Sequence, residues 1–253
     1  MKPLPPVKIG KIGQIGIHQQ RFSLSAMRPV LWLDAADSIT ITENSGTISQ
    51  WRDKSGNNRH FTQDTASAQP LTGANTINGR NVITFDGVGE KLLGDHIIGL
   101  YDGLSAFLVT NSRCSEKADG FGFVIAINGY GWLTAEENAP AFNFSSNGLN
   151  QANWQIANKA HSTPQTEEPK IYSCTSTGTD VQYYTNGTLT SGNTTGSATE
   201  GGSPSYIGGT TGMNHYKGDL AEVIIFERVL STMQKNQVGS YLSKKWAINW
   251  ADL

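Results

Sequence analysis

The sequence predicts an all-β protein that ends in one short helix and begins with an extended arm. Three observations carry this. Only 16% of the 253 residues are charged, glycine reaches 28, and Ser, Thr, Asn and Gly fill the spaces between short apolar runs. That composition suits strands joined by polar turns. Residues 216–248 form the one strand-to-helix unit. From Leu220 to Phe226 apolar residues fall on both parities, as in a strand buried on both faces. Ser231 and Gln234 then make a capping box, and Val238, Tyr241, Leu242 and Trp246 follow at helical spacing, placing a helix at about 232–246. Finally, residues 1–28 fit neither period.

Taken in order, the chain opens with Pro3, Pro5 and Pro6, which favour extended backbone. Lys8-Ile9-Gly10, Lys11-Ile12-Gly13 and Gln14-Ile15-Gly16 repeat before Ile17. Three units without proline are too few for a collagen-like triple helix. Residues 1–28 read as an arm that lays Ile9, Ile12, Ile15 and Ile17 on a partner, against the plainer alternative of a disordered terminus. The folded region is expected to span 29–253. Strands are expected at 30–34, 48–51, 81–87, 104–110, 121–127, 141–144, 171–177, 181–185 and 206–207. Val82, Thr84 and Asp86 alternate with Ile83 and Phe85. Asn186-Gly187 is the signal for a type I′ hairpin. Residues 145–169 and 191–205 read as loops. Within 220–226 strict alternation places Leu220, Ile224 and Phe226 opposite Ala221, Val223 and Ile225.

Several function classes find no support. A formal net charge of −2 gives no reason to expect nucleic acid as a partner. No apolar run approaches the about 20 residues that span a membrane, and the N-terminus lacks the apolar core and small-residue cleavage site of a signal peptide. Cys114 and Cys174 read as buried free thiols rather than a bridge. The sequons at Asn143, Asn186 and Asn193 read as turn chemistry. The five histidines are scattered without metal-binding spacing. No phosphate-binding loop and no Gly-x-Ser-x-Gly elbow is present. Glu136/Glu137 and Glu167/Glu168 point to opposite faces of any strand that holds them, and Asp219 and Glu222 differ in parity. Glu222 lies among apolar residues and needs a fixed partner, for which Arg52 and Arg228 are the candidates. Trp32, Trp51 and Trp246 read as core. Tyr130, Trp132, Trp154 and Tyr216 lie near loops, where a flat ring can stack on a sugar.

The order of motifs adds a resemblance. Leu31-Trp32-Leu33-Asp34-Ala35-Ala36-Asp37, Trp51-Arg52-Asp53-Lys54-Ser55-Gly56-Asn57 and the run from Val82 to Gly87 come first. Tyr184-Thr185-Asn186-Gly187, Tyr206-Ile207-Gly208 and the stretch from Gly218 to Phe226 with its helix follow. Over residues 29–248 this resembles the concanavalin A-like, laminin-G-like domains of phage and bacterial surface proteins. The resemblance implies a two-sheet antiparallel jelly-roll sandwich. It also implies a structural calcium as the one cofactor to consider; Asp34, Asp53 and Asp86, with Asp37 and Asn57, lie near turns that could converge on it, against the reading that Asp53 and Asp86 organise their turns by bonding backbone amides. Hydrolytic members carry Glu-x-Asp-x-(x)-Glu on one strand, which this chain lacks, so no enzyme is expected. Together with the arm, the resemblance points to a non-enzymatic bacteriophage virion protein, made in the host bacterial cytoplasm. It would decorate a capsid or belong to a tail, bind other virion proteins through the arm, and form a homo-oligomer such as a trimer. The alternative is a carbohydrate-binding module for host-surface glycans.

Overall fold

The structure is a computed structural model that describes residues 22–95, 97, 103–113, 121–127, 130–136, 168–177, 180–194, 204–209 and 215–253. Ile9, Ile12, Ile15, Ile17, Cys114 and Trp154, together with the strand expected at 141–144, lie outside these residues.

Among the described residues the chain forms fifteen strands and one α-helix. The strands are β1 (Leu31–Asp34), β2 (Ile41–Asn44), β3 (Thr47–Trp51), β4 (Phe61–Thr62), β5 (Leu71–Ile77), β6 (Arg80–Asp86), β7 (Leu92–Gly94), β8 (Leu104–Ser112), β9 (Phe121–Ile127), β10 (Tyr130–Glu136), β11 (Lys170–Ser176), β12 (Asp180–Thr185), β13 (Thr188–Thr194), β14 (Ser205–Ile207) and β15 (Lys217–Phe226); the helix is α1 (Thr232–Trp246). All pairings are antiparallel, in the order β10-β9-β14-β7-β4-β3-β5-β6-β15-β8-β11-β12-β13, with β1 added to β15 and β2 to β3. The ladder folds over a shared core. Trp51, Phe61, Leu92, Ile125 and Ile207 from its first half meet Leu33, Phe85, Leu108, Cys174 and Ile225 from its second half. The result is the two-sheet jelly roll that the sequence predicts. Cys174 is a free buried thiol, its pKa pushed up to about 12 by burial, against a backbone hydrogen bond at Ala106 that lowers it.

A second core lies on the outer face of the β15 sheet. Val82, Phe107, Val109, Ile171, Ala221, Ile224 and Phe226 pack there against Val238, Leu242 and Trp246 of the helix. The helix begins as expected. Ser231 accepts the Gln234 amide, and the Gln234 side chain accepts the Ser231 amide at 3.0 Å. Residues 22–28, which the sequence groups with the arm, carry a 3-10 turn at Ser25–Met27 and bury Leu24 in this outer core. The Asn186-Gly187 hairpin has φ values of 52° and 83°, as a type I′ turn requires. The C-terminal tail lies across it: Ala251 N–H donates to the Asn186 carbonyl at 2.8 Å. A Cβ at Gly187 would sit 1.8 Å from the Ala251 carbonyl oxygen.

Two expectations need correction. The loop assigned to 191–205 begins later, because β13 runs to Thr194 in register with β12; cross-strand pairing overrides its weak Ser/Gly/Thr propensity. The parity within β15 also changes. Leu220, Val223 and Ile225 face the inner core, whereas Ala221, Ile224 and Phe226 face the helix. The register against β8 shifts between Leu220 and Glu222, and this bulge inserts one residue and breaks the alternation.

Replacing Ser231 by Ala removes the cap and lowers stability by about 1 kcal/mol, read from a denaturant midpoint. Glu90 gives a pH signature. Burial lifts its carboxyl from 4.5 to about 7; its hydrogen bond to the Asp86 amide pulls it down, and the Asp86 charge adds to the rise. A raised folded pKa contributes stability below 4.5 that is lost as pH rises through about 7. The stability of Glu90→Gln, followed by thermal melting, therefore falls less than that of the wild type across this window.

Candidate functional site

The bulge in β15 turns Glu222 toward the helix. Pairing with β1 sets Asp34 directly opposite Glu222 and Trp32 opposite Ile224. Two carboxylates facing each other across a ladder are destabilising unless a cation joins them. Lys245, one turn after Tyr241 on α1, supplies it. Its Nζ lies 2.8 Å from Glu222 Oε2 and 2.5 Å from Asp34 Oδ1. On the far side of Asp34, Lys54 Nζ reaches Asp34 Oδ2 at 2.7 Å and Asp37 Oδ2 at 2.6 Å. Lys54 also lies 4.5 Å from the Trp32 ring centroid, a cation–π contact. One continuous chain of charges thus runs Asp37–Lys54–Asp34–Lys245–Glu222.

Glu222 closes this chain and has no exposed side-chain surface. Its Oε1 accepts from Trp32 Nε1 at 2.8 Å and from the Tyr241 hydroxyl at 2.8 Å; its Oε2 accepts from Trp246 Nε1 at 2.7 Å as well as from Lys245. Arg52 and Arg228, the partners considered from sequence, are engaged elsewhere. Arg52 bonds Gln50 and the Ile39 carbonyl, and Arg228 bonds the Met27 and Arg28 carbonyls. Burial pushes the Glu222 carboxyl above its ordinary range, and the Lys245 charge pulls against that. Burial likewise raises the Tyr241 hydroxyl, helped by the charges of Glu222 and Asp34. For Lys54 burial acts downward, but the bonds to Asp34 and Asp37 outweigh it, so its pKa rises. Both oxygens of Glu222 are filled by two donors each and face no solvent. A general acid or base must reach a substrate proton, so this carboxylate is a structural anchor.

The remaining buried acid of β15 is filled in the same way. Asp219 pairs with Arg113 through both guanidinium nitrogens, and its Oδ1 accepts from Thr84 at 2.7 Å and Asn75 at 2.9 Å. Asp34, Asp53 and Asp86, considered for calcium, do not gather. Asp34 is held by two lysines and the Ala36 amide. Asp53 accepts the amides of Trp32, Ser55 and Arg59 and the Ser55 hydroxyl. Asp86 accepts the Val88 amide at 2.7 Å. Among the described residues no group of three or more His, Cys, Asp or Glu side chains is placed to hold a metal ion. Calcium takes six or more oxygen ligands, and a carboxylate already neutralised by two lysines does not fit that role.

Of the candidate sugar-stacking aromatics, Tyr216 is fully buried, with its hydroxyl 2.6 Å from Thr110 Oγ1. Its ring packs on Phe85 and offers no face to a ligand. Tyr130 and Trp132 lie on β10, not in a loop, at the end of the sheet that carries no helix. One feature of that sheet escaped the sequence reading. Gln50, Thr62, Leu93 and Tyr206 are cross-strand partners in sequence over β3, β4, β7 and β14, and Tyr206 is paired in turn with Ala126 of β9. Trp51, Phe61, Gly94 and Ser205 form the adjoining row, all but Gly94 and Ser205 being large core side chains. The Gln50–Tyr206 row therefore faces outward, and Leu93 within it is 42% exposed. The alternation of Tyr206 with buried Ile207 was the available signal.

The two-sheet architecture and this arrangement of motifs agree with the comparison to known families. The model of the Concanavalin A-like lectin/glucanases superfamily matches residues 106–234, half of the chain. The chain belongs to that superfamily. No curated protein matches the sequence. Among solved structures, this superfamily member resembles the receptor binding domain of botulinum neurotoxin D at 16% identity and a TM-score of 0.59, covering 86% of this chain and 53% of that one. The botulinum neurotoxin serotype D ligand binding domain in complex with N-acetylneuraminic acid matches at 16% identity and 0.58, over 87% and 53%. Domain 4 of AbnA, an extracellular arabinanase from Geobacillus stearothermophilus in complex with arabinotriose, matches at 13% and 0.55, over 84% and 97%. The chain spans about half the length of the neurotoxin domains. At these identities the likeness is one of fold.

Replacing Lys245 by Met leaves Glu222 and Asp34 opposed without their shared cation. The expected loss is about 3–5 kcal/mol, measured by chemical denaturation. Without Lys245 the folded pKa of Glu222 rises further, so the deficit shrinks as pH falls toward the carboxylate range and grows as pH rises.

Proposed function

We propose that the chain is a non-catalytic, lectin-like binding protein whose sandwich recognises glycans on a host surface. The observation that carries this reading is the pairing of a lectin-type sandwich with buried acids that, among the described residues, are engaged by other side chains and amides. Glu222, Asp219 and Asp34 have their oxygens filled by lysine, arginine, indole and amide donors. Hydrolysis of a glycosidic bond needs two carboxyl groups open to a cleft, and these are closed. Two of the similar folds are known as complexes with N-acetylneuraminic acid and arabinotriose, which supports a sugar as the ligand class. The binding face in this reading is the sheet opposite the helix. There the outward row through Leu93 and Tyr206 continues by way of Ala126 of β9 to Gly131 of β10, next to Trp132 at the register shift; Tyr130, paired with Ile127, falls in the adjoining row. Apolar ring faces beside Gln50 and Thr62 supply both stacking and hydrogen bonds.

The proposal places the protein on a bacteriophage particle, in a capsid or a tail. The supporting observation is the Lys-Ile-Gly repeat of residues 8–16 ahead of a sandwich that carries its own two cores. In this reading the repeat binds a neighbouring virion protein by burial of isoleucine side chains.

Binding of the full chain to an array of bacterial surface glycans tests the first part. Trp132→Ala and Tyr206→Ala are expected to weaken binding to the recognised glycan by about tenfold or more while leaving the thermal midpoint unchanged. Unaltered binding in both variants rejects this face as the site, and a blank array leaves the scaffold role alone. Deletion of residues 1–20 tests the second part: the truncated sandwich folds but is absent from particles. Full occupancy of the truncated protein contradicts the anchoring role.

A further inference from the structure

The outer side of α1 carries a groove of about 820 Å³, lined by Phe22, Met233, Tyr241, Lys244 and Asp252 among others. Met233, Gln237, Ser240 and Lys244 run along it at spacings of four, three and four residues, which sets them in one line on a helix. Lys235, Val238, Leu242 and Trp246 are buried on the other side. Met233 is 68% exposed and Phe22 is 38% exposed. Large apolar side chains left open in one groove mark a docking surface.

The groove has two unlike halves. At the helix start stand the open Met233 and a negative charge. The Trp250 indole and the Leu253 amide both donate to Asn236, which holds Asp252 beside the first turns. In the second half the Phe22 ring lies 5.9 Å from that of Tyr241, and Lys244 supplies a positive charge. Lys244 and Asp252 are both exposed, and neither joins an ion pair among the described residues.

We infer that this groove docks on the same groove of a second copy, with the two α1 helices antiparallel across a twofold axis. A twofold contact brings one patch against itself, and this patch complements itself in the antiparallel sense alone. Turned end for end, Met233 reaches the aromatic shelf of the partner's Phe22 and the partner's Tyr241. Lys244 then meets the partner's Asp252. A parallel arrangement would set lysine on lysine and aspartate on aspartate. Gln237 and Ser240 fall at the centre, where the short serine side chain lets the helices approach. From Met233 to Lys244 the seam is about 16 Å long at 1.5 Å per residue. One helix on one helix stands at the small end of specific interfaces, so the dimer forms at roughly micromolar rather than nanomolar concentration.

The contact is independent of any ligand, since the proposed glycan face lies on the sheet opposite the helix. One consequence alone rests on the glycan reading: a twofold on α1 leaves both glycan faces open, so the dimer is bivalent.

Sedimentation equilibrium of the full chain, from roughly 1 μM to 1 mM, tests the inference. A reversible monomer–dimer equilibrium is expected. Lys244→Asp and Asp252→Lys each raise the dissociation constant at least tenfold, and the double exchange restores it, with thermal midpoints unchanged because both positions lie outside the two cores. A monomer throughout the range overturns the inference. So does a dimer indifferent to both single exchanges, or one that the double exchange does not restore. A chain lacking residues 1–21 separates the other occupant. A dimer that persists without them supports the helix contact. One that is lost, or that appears only after their removal, overturns it, because those residues then fill the groove. No readout involves glycan binding, so a failure here is distinct from a failure of the proposed function.

Discussion

Glu222 has no contact with solvent, and its carboxylate is held by donors from two separate parts of the chain. Trp32 comes from β1; Tyr241, Lys245 and Trp246 come from α1. An isolated carboxylate in this position would be prohibitively costly, whereas one filled by four donors is tolerated. The requirement works in both directions. Two indole N–H groups, which can only donate, find acceptors in an otherwise apolar layer. The helix is thereby fixed in rotation as well as in position, because only one face presents Tyr241, Lys245 and Trp246 together. Apolar burial of Val238 and Leu242 provides attraction without that directionality.

The two faces of the sandwich consequently differ. The β15 sheet is sealed by the helix, the 3-10 turn around Leu24 and the C-terminal tail, with Trp250 Nε1 and Leu253 N–H both donating to Asn236. The opposite sheet keeps partly exposed side chains in the row from Gln50 to Tyr206. Among the described residues the helix-side sheet is thus closed by directional side-chain bonds, and the row on the opposite sheet is not covered by them. This closure also accounts for the chain of charges from Asp37 to Glu222, which lies under the helix. Charge density marks where the fold had to satisfy buried groups, and here it marks the helix dock.

Much of the fold was legible because local signals agreed with one another. The capping box at Ser231, the Asn186-Gly187 turn and the alternation around Ile83 and Phe85 each report a local constraint, and each is found as read. β4, β5 and β7 were not read, since strands of two or three residues, or one as polar as Leu71–Ile77, carry little periodic signal. The partners of Glu222 were not legible either. Lys245 is 23 positions away, and Trp32 is 190. Both meet Glu222 only because a bulge turns the strand, and a bulge depends on the neighbouring strand's register rather than on local composition. The outward row at Leu93 and Tyr206 was hidden for a related reason. It is assembled one residue per strand from four strands, so no window of sequence contains it.

The bulge between Leu220 and Glu222 also limits how this strand can change through descent. Leu220 faces the inner core and Glu222 the helix although an even number of positions separates them, because Ala221 is the extra residue. Flattening the bulge at unchanged length would restore strict alternation beyond Leu220, carry Glu222 to the inner core among Leu31, Leu33 and Leu108, leave Lys245 on the wrong side of the sheet, and turn Val223 and Ile225 outward. What this ten-residue strand has to keep is therefore an irregularity, and a sequence that ran more evenly from Lys217 to Phe226 would bury the wrong face.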